Sequence, residues 1–254
     1  MKKQLILSAI AAVALGAPAA SMAESLDFNY KVDRFADIEV LRYKVPDFEQ
    51  LTIQQKELVY YLTEAALYGR DILTDQNGKY NLAIRTTLEN IYKNYDGSKD
   101  DADYKGFVLY LKQVWFANGI HHHYSTDKFT PQFSQAFFET QVKKLSKKQL
   151  PLKKGQTVDA FIKEIIPVIF DPTVMAKRVN QANGQDLILT SANNYYEGVT
   201  QAEVEQFYAA MKKTDNPEEP ISYGLNSRLV KLDGKLVEER SEERRVGKEC
   251  QIWC

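Results

Sequence analysis

A helix-rich α+β fold is expected from three features of this sequence. Apolar residues recur at spacings of three and four through most of the chain, alternating stretches stand near both of its ends, and capping or breaking residues bound the periodic segments. The strands near the two ends could meet in one sheet. No internal repeat is visible.

Taken in order, Asp37 to Val45 reads as a strand, with Ile38, Val40 and Arg42 alternating against Glu39, Leu41 and Tyr43 until Pro46 closes it. Thr52 and Gln55 form a capping box for a helix through Leu58, Tyr61, Leu62 and Ala65, with Gly69 as its stop. Val59, Tyr60 and Ala66 lie on its other faces, so burial on more than one side is expected. Asp75-Gln76-Asn77-Gly78 is a turn, followed by a helix marked by Tyr80, Ile84, Leu88, Ile91 and Tyr95. A third helix runs from about Asp103 to Ala117, carrying Tyr104, Phe107, Val108, Leu111, Val114 and Trp115 as core, and stops at Asn118-Gly119 in a left-handed conformation. Thr130-Pro131 is expected to open a fourth helix, with Phe133, Ala136 and Phe137 on its buried side. A lysine-rich stretch around Pro151 and Gly155 is read as a solvated helix end and linker, with an anionic partner as the alternative.

Phe161, Ile162, Ile165, Ile166 and Ile169 define the next helix, which bends at Pro167 and ends before Pro172. Residues 186 to 190 suit a short strand. Thr200 and Glu203 form a second capping box, and Val199 and Val204 a hydrophobic staple, for a helix through Phe207, Tyr208 and Met211. Pro217 and Pro220 separate it from a hairpin in which residues 227 to 231 and 235 to 238 flank the turn Leu232-Asp233-Gly234.

The ends differ from the rest. Lys2 and Lys3, the apolar run Leu5 to Leu15, and Ser21 and Ala23 around Met22 read as an export signal over residues 1 to 23, cleaved after Ala23; an uncleaved anchor is the alternative. A periplasmic or cell-envelope location follows, with membrane contact only during export. Residues 240 to 254, from Arg240 onward, carry both cysteines, Cys250 and Cys254, without periodicity, and resemble translated vector read-through. A charged tail whose cysteines bind something is the other reading, for which the chain supplies no further ligands. Between them, residues 24 to 239 contain no cysteine, so stability rests on burial. The net charge of −1 over 254 residues argues against nucleic acid as a partner.

The chain has three histidines, consecutive at His121, His122 and His123. Adjacent imidazoles cannot form a helical zinc site, which needs them at i and i+4 on one face. Three readings stand: a polar loop past a helix end where imidazolium complements the dipole, a metal contact through His121 and His123, and a substrate contact. Ser125 lies near His123, but a triad needs a base oriented by a third group. Dinucleotide, P-loop, nucleophile-elbow and H-E-x-x-H motifs are absent from the sequence. The carboxylate pairs Asp100-Asp101, Glu218-Glu219 and Glu238-Glu239 fall in linkers or strand ends and read as solvated charge.

The runs Leu51-Thr52 to Tyr68-Gly69 and Gly106-Phe107 to Phe129, with Tyr195-Tyr196-Glu197-Gly198 and Asn226-Ser227-Arg228-Leu229-Val230-Lys231, together resemble the amino-terminal part of the dipeptidyl peptidase III family of zinc peptidases. The resemblance covers roughly residues 36 to 239. It implies part of the mixed lobe of a two-lobed aminopeptidase, with a small antiparallel or barrel-like β portion, that takes short peptide substrates and releases dipeptides. By position Tyr124 matches an aromatic lining the non-primed subsites, and His123 beside it is assigned with it to substrate contact. The family's zinc chemistry polarises the scissile carbonyl while a glutamate activates water. Its H-E-x-x-G-H motif, the third ligand on a later E-E-C-R-A-E-like helix and the transition-state tyrosine belong to the missing carboxy-terminal lobe. The chain as written is therefore expected to hold no zinc and to be inactive alone; a non-catalytic peptide-binding or structural envelope module is the alternative.

Overall fold

The computed structural model describes residues 28–213, 216, 218, 219, 224 and 227–240. The segment expected to be an export signal, Pro217, Pro220, Asn226 and residues 241–254 lie outside them. The chain divides into two units, residues 1–56 and 57–254.

In the first unit, β1 (Lys31–Phe35) and β2 (Ile38–Leu41) form an antiparallel hairpin in which Phe35 pairs with Ile38 and Lys31 with Leu41. The strand expected from residue 37 to 45 is thus the shorter half of a hairpin; its partner β1 carries Lys31, Asp33 and Arg34 and gives no clear apolar alternation. Ile38 alone of these strand residues is buried, at 5% exposure.

Helix α1 (Ile53–Tyr68) begins with the expected box, the Thr52 amide donating to Gln55 Oε1 at 2.9 Å and the Gln55 amide to Thr52 Oγ1 at 3.3 Å. Its burial is a correction to the sequence reading: no residue of α1 is buried, and Leu58, Tyr60, Tyr61 and Leu62 each expose more than half of their surface. Periodicity reports which side chains want cover; it does not supply the cover. Helix α1 ends at Tyr68, directly before Gly69, as expected; the separate helix α2 (Arg70–Gln76) that begins right after the glycine is not among the expected elements.

The core of the second unit is built by α3 (Asn81–Asn94), α4 (Ala102–Ala117), α5 (Gln135–Lys144) and α6 (Val158–Phe170). Ile84, Leu88, Phe107, Leu111, Val114, Phe138 and Ile169 are fully enclosed, each contributing about 1.5–3 kcal/mol by leaving water. Aromatic rings knit the layer: Tyr95 stacks on Tyr104 at 4.1 Å, and Phe133 meets Phe107 at 5.7 Å and Phe170 at 5.4 Å, both edge-on. Trp115 is half-buried, with its Nε1 donating to Glu89 at 2.9 Å.

Helix α5 starts at Gln135, not near Pro131 as expected. Residues 128 and 129 are held extended by amides donating to the carbonyls of Ala176 and Ile120, and Ser134 caps the helix by accepting from the Phe137 amide at 3.1 Å. Its buried side is Phe138 and Val142; Ala136 is exposed. That extended passage runs over Gly106 of α4, where a methyl group would stand 1.8 Å from the Gln132 carbonyl oxygen. Pro167 lies inside α6, as expected.

A smaller apolar cluster of Val199, Val204 and Leu229 holds α7 (Gln201–Lys212) against a sheet of order β3 (Tyr196–Glu197), β4 (Ser227–Leu232) and β5 (Lys235–Arg240). The Thr200–Glu203 box and the Val199–Val204 staple are both formed. Asp233 and Gly234 turn the β4–β5 hairpin with φ of 48° and 78°, the left-handed pair that Asp-Gly favours. Arg240 completes β5 opposite Ser227, so the ordered strand includes the first residue assigned to the tail. Residues 186 to 190 form no strand; Asp186 accepts from the amides of Ile188 and Leu189, and the Thr190 amide reaches back to the Asp186 carbonyl, a single helical turn. The fold is mixed α+β with two small separate sheets, neither closed into a barrel, so the expectation of one sheet shared by strands from both ends is corrected: β1 pairs with β2, and β4 with β3 and β5.

Candidate functional site: the histidine loop

The loop begins where α4 runs out of helical geometry. Asn118 adopts φ 52°, ψ 44°, and Gly119 follows at φ 152° with its amide donating to the Val114 carbonyl. A side chain at Gly119 would strike the Asn81 carboxamide at 2.3 Å, so glycine is required by space as well as by φ. Asn81 accepts from the Ile120 amide at 3.3 Å, and Asn77 donates to the Ala117 and Asn118 carbonyls, which α4 leaves without helical partners.

The three imidazoles then diverge. His121 is buried at 2% exposure, with Nε2 donating to the Met175 carbonyl at 2.7 Å and Nδ1 enclosed without a hydrogen-bond partner among the described residues. Burial pulls its pKa down to about 4, against the opposing pull of the Met175 carbonyl and with help from Arg178 and Lys128. His121 is therefore neutral at pH 7, and the reading of it as a dipole-complementing imidazolium is corrected. His122 Nδ1 accepts from the Tyr124 and Ser125 amides at 3.2 and 3.1 Å, which turns the chain back so that the His122 amide reaches the Asp127 carbonyl. His123 lies beside Phe116 at 5.0 Å and under Tyr124 at 4.2 Å between ring centroids. Tyr124 itself is 85% exposed.

A second strap fixes the loop. The Arg178 guanidinium donates to the His123 carbonyl and to Asn77 Oδ1, both at 3.2 Å, while its backbone amide donates to the Thr126 carbonyl. Lys177 pairs with Asp127 at 2.7 Å and holds the Asp127 carboxyl below its ordinary pKa. Lys128 turns inward, its ammonium donating to the carbonyls of Val168, Asp171 and Val174 around the end of α6. Below the loop an open cavity of 480 Å³ is lined by Phe129, Pro131, Phe170 and Pro172, with Lys177 among its polar members. Tyr124 does not line this cavity.

Of the two residues assigned to substrate contact, Tyr124 stands on the surface of a firmly tied loop and His123 lies beside its ring. Ser125 Oγ accepts from the Asp127 amide at 3.3 Å. Among the described residues no group of three or more His, Cys, Asp or Glu converges; His121 Nε2 is turned to a carbonyl, and His122 Nδ1 accepts two amides. Asn77, Asn81 and Arg178, which set the loop's shape, were not singled out from the sequence. Asn77 beside Gly78 and Asn81 three residues after it are the available signal; Arg178 sits in a stretch without period.

The late motifs do meet. Tyr196 pairs with Leu229 and Glu197 with Val230 in parallel, the Leu229 amide donates to the Tyr195 carbonyl, and Arg228 binds Glu197 and, at 2.9 Å, Glu239. Lys79 reaches Glu197 at 2.6 Å, and Asn194 donates its amide to the Gln76 carbonyl, joining sheet to helices. No protein-family model and no curated protein matches this chain.

Proposed function

We propose that this chain is the amino-terminal portion of an exported zinc-dependent dipeptidyl peptidase of the dipeptidyl peptidase III type, supplying part of a peptide-binding wall and none of the zinc chemistry. The observation that carries the reading is α1. Sixteen helical residues including Leu58, Val59, Tyr60, Tyr61, Leu62 and Leu67 stand without one buried side chain. Large apolar side chains exposed in this number along one helix support the reading of the chain as a piece of a larger protein. The sequence resemblance names the complement as the zinc lobe, and the joined Tyr195–Gly198 and Ser227–Lys231 segments are compatible with the same lobe.

Two measurements test this. The purified chain, supplied with zinc, is expected to release no dipeptide from a dipeptidyl naphthylamide. At the source locus, the reading frame is expected to continue past the Glu239 codon into H-E-x-x-G-H. Zinc-dependent turnover by the chain alone, or a frame that closes after Cys254, overturns the proposal. The exposure of Tyr124 on a loop fixed by Arg178 favours a second reading, a non-catalytic peptide-binding module, and a closed frame with retained peptide affinity would select it.

A further inference from the structure

A second cavity lies away from the histidine loop, where α2, α3 and α4 converge beside the end of α1. Its volume is 480 Å³ and its lining is Leu67, Arg70, Asp71, Arg85, Glu89 and Trp115. The volume falls in the range of small-molecule sites, about 300–1,000 Å³.

The charges in it are arranged unequally. Arg85 is largely buried, with 14% of its side chain exposed; it donates to Thr74 Oγ1 at 3.0 Å and to Asp71 Oδ1, and its Nε stands 3.6 Å from Glu89 Oε1. Glu89 Oε1 also accepts from Trp115 Nε1 at 2.9 Å. One guanidinium thus sits between two carboxylates and leaves one negative charge in surplus, with Asp71 Oδ2 and Glu89 Oε2 making no hydrogen bond among the described residues. The opposite charge is Arg70, exposed and without an ion pair or side-chain hydrogen bond among the described residues. Trp115, braced edge-on by Tyr92 at 6.0 Å, and Leu67 supply apolar wall.

We propose that this cavity binds a small zwitterion with an apolar side chain: a free α-amino acid or the equivalent short peptide. The ligand carboxylate pairs with the Arg70 fork, its ammonium with the free oxygens of Asp71 and Glu89, and its side chain covers Trp115 and Leu67. A simple anion would meet the surplus carboxylate, and a simple cation would meet Arg70, so each alone matches half of the site. The inference stands independently of the peptidase reading.

The full chain has two tryptophans, so a Trp253→Phe background leaves Trp115 as the only reporter. L-phenylalanine is expected to produce a saturable change in Trp115 fluorescence, and 3-phenylpropionate and phenethylamine each to bind at least about tenfold more weakly. Arg70→Gln is expected to weaken L-phenylalanine by about tenfold or more while leaving phenethylamine within about twofold. The Arg70 side chain makes no hydrogen bond or ion pair among the described residues, so an unchanged circular dichroism spectrum is expected for this variant. No saturable change with L-phenylalanine, equal affinity for either half-charged analogue, or indifference to Arg70→Gln each overturns the proposal.

Discussion

Replacing Gly106 by alanine separates tertiary packing from helix propensity, because the two act in opposite directions. Gly106 lies inside α4, where alanine is favoured over glycine by about 1 kcal/mol on propensity alone. The added methyl, however, would stand 1.8 Å from the Gln132 carbonyl oxygen and 2.4 Å from its carbon, both backbone atoms, and must push that passage away. Phe133, the next residue, is wedged edge-on against Phe107 and Tyr110 at 5.7 and 5.6 Å, so moving the passage also disturbs the aromatic core. Overpacking of this kind costs about 1–3 kcal/mol when side chains can adjust, and a backbone obstacle places Gly106→Ala at or above the upper end. After subtracting the propensity gain, a net loss of about 2 kcal/mol remains, which for a domain of this size lowers Tm by roughly 4–8 °C. Thermal unfolding followed by circular dichroism measures it, with Lys105→Ala on the exposed neighbouring position expected to stay within about 0.5 kcal/mol of the parent. A Gly106→Ala protein as stable as the parent, or more so, refutes the reasoning.

His121 makes stability depend on pH. Its folded pKa is lowered from 6.5 to about 4, so its contribution is fully present above pH 6.5 and is lost as the pH falls from there toward 4. The loss is at most about 3 kcal/mol. His121→Gln keeps a donor for the Met175 carbonyl without a titrating group, so urea unfolding should show the difference between parent and variant changing across that window; parallel profiles would sink the assignment. On α1, replacing Leu58, Tyr61 and Leu62 together by glutamine is expected to change unfolding free energy by no more than about 0.5 kcal/mol per site while reducing self-association in sedimentation. A Tm drop of many degrees would mean that these side chains are covered in the folded protein.

The sequence is most legible where one local rule settles the structure. The stop at Asn118-Gly119, the Thr200–Glu203 box and the Asp233-Gly234 turn are local, and all three form as expected. Segments whose shape depends on distant partners are far less legible. Residues 186 to 190 alternate well enough for a strand, yet the Asp186 carboxylate finds the amides of Ile188, Leu189 and Gln201 and closes a turn instead. Pro131 suits the first turn of a helix, but the amides of Lys128 and Phe129 are already committed to Ala176 and Ile120. At the candidate site, the histidines were visible while the groups that decide their chemistry were not. The Met175 carbonyl that fixes His121 and the Arg178 guanidinium that fixes the His123 carbonyl lie more than fifty residues further along the chain.

The sheet of β3, β4 and β5 has an apolar nucleus of its own and is tied to the helical core by the half-exposed Lys79–Glu197 ion pair and the backbone of Asn194, with Arg228 extending the charges inside the sheet to Glu197 and Glu239. A join made largely of half-exposed charges weakens as ions screen it, whereas the packed rings between α3 and α6 do not respond in the same way. Raising ionic strength therefore acts on one part of this molecule selectively. Amide hydrogens along β4 and β5 should exchange through openings that salt promotes, while those of α4 wait for the whole helical core to unfold.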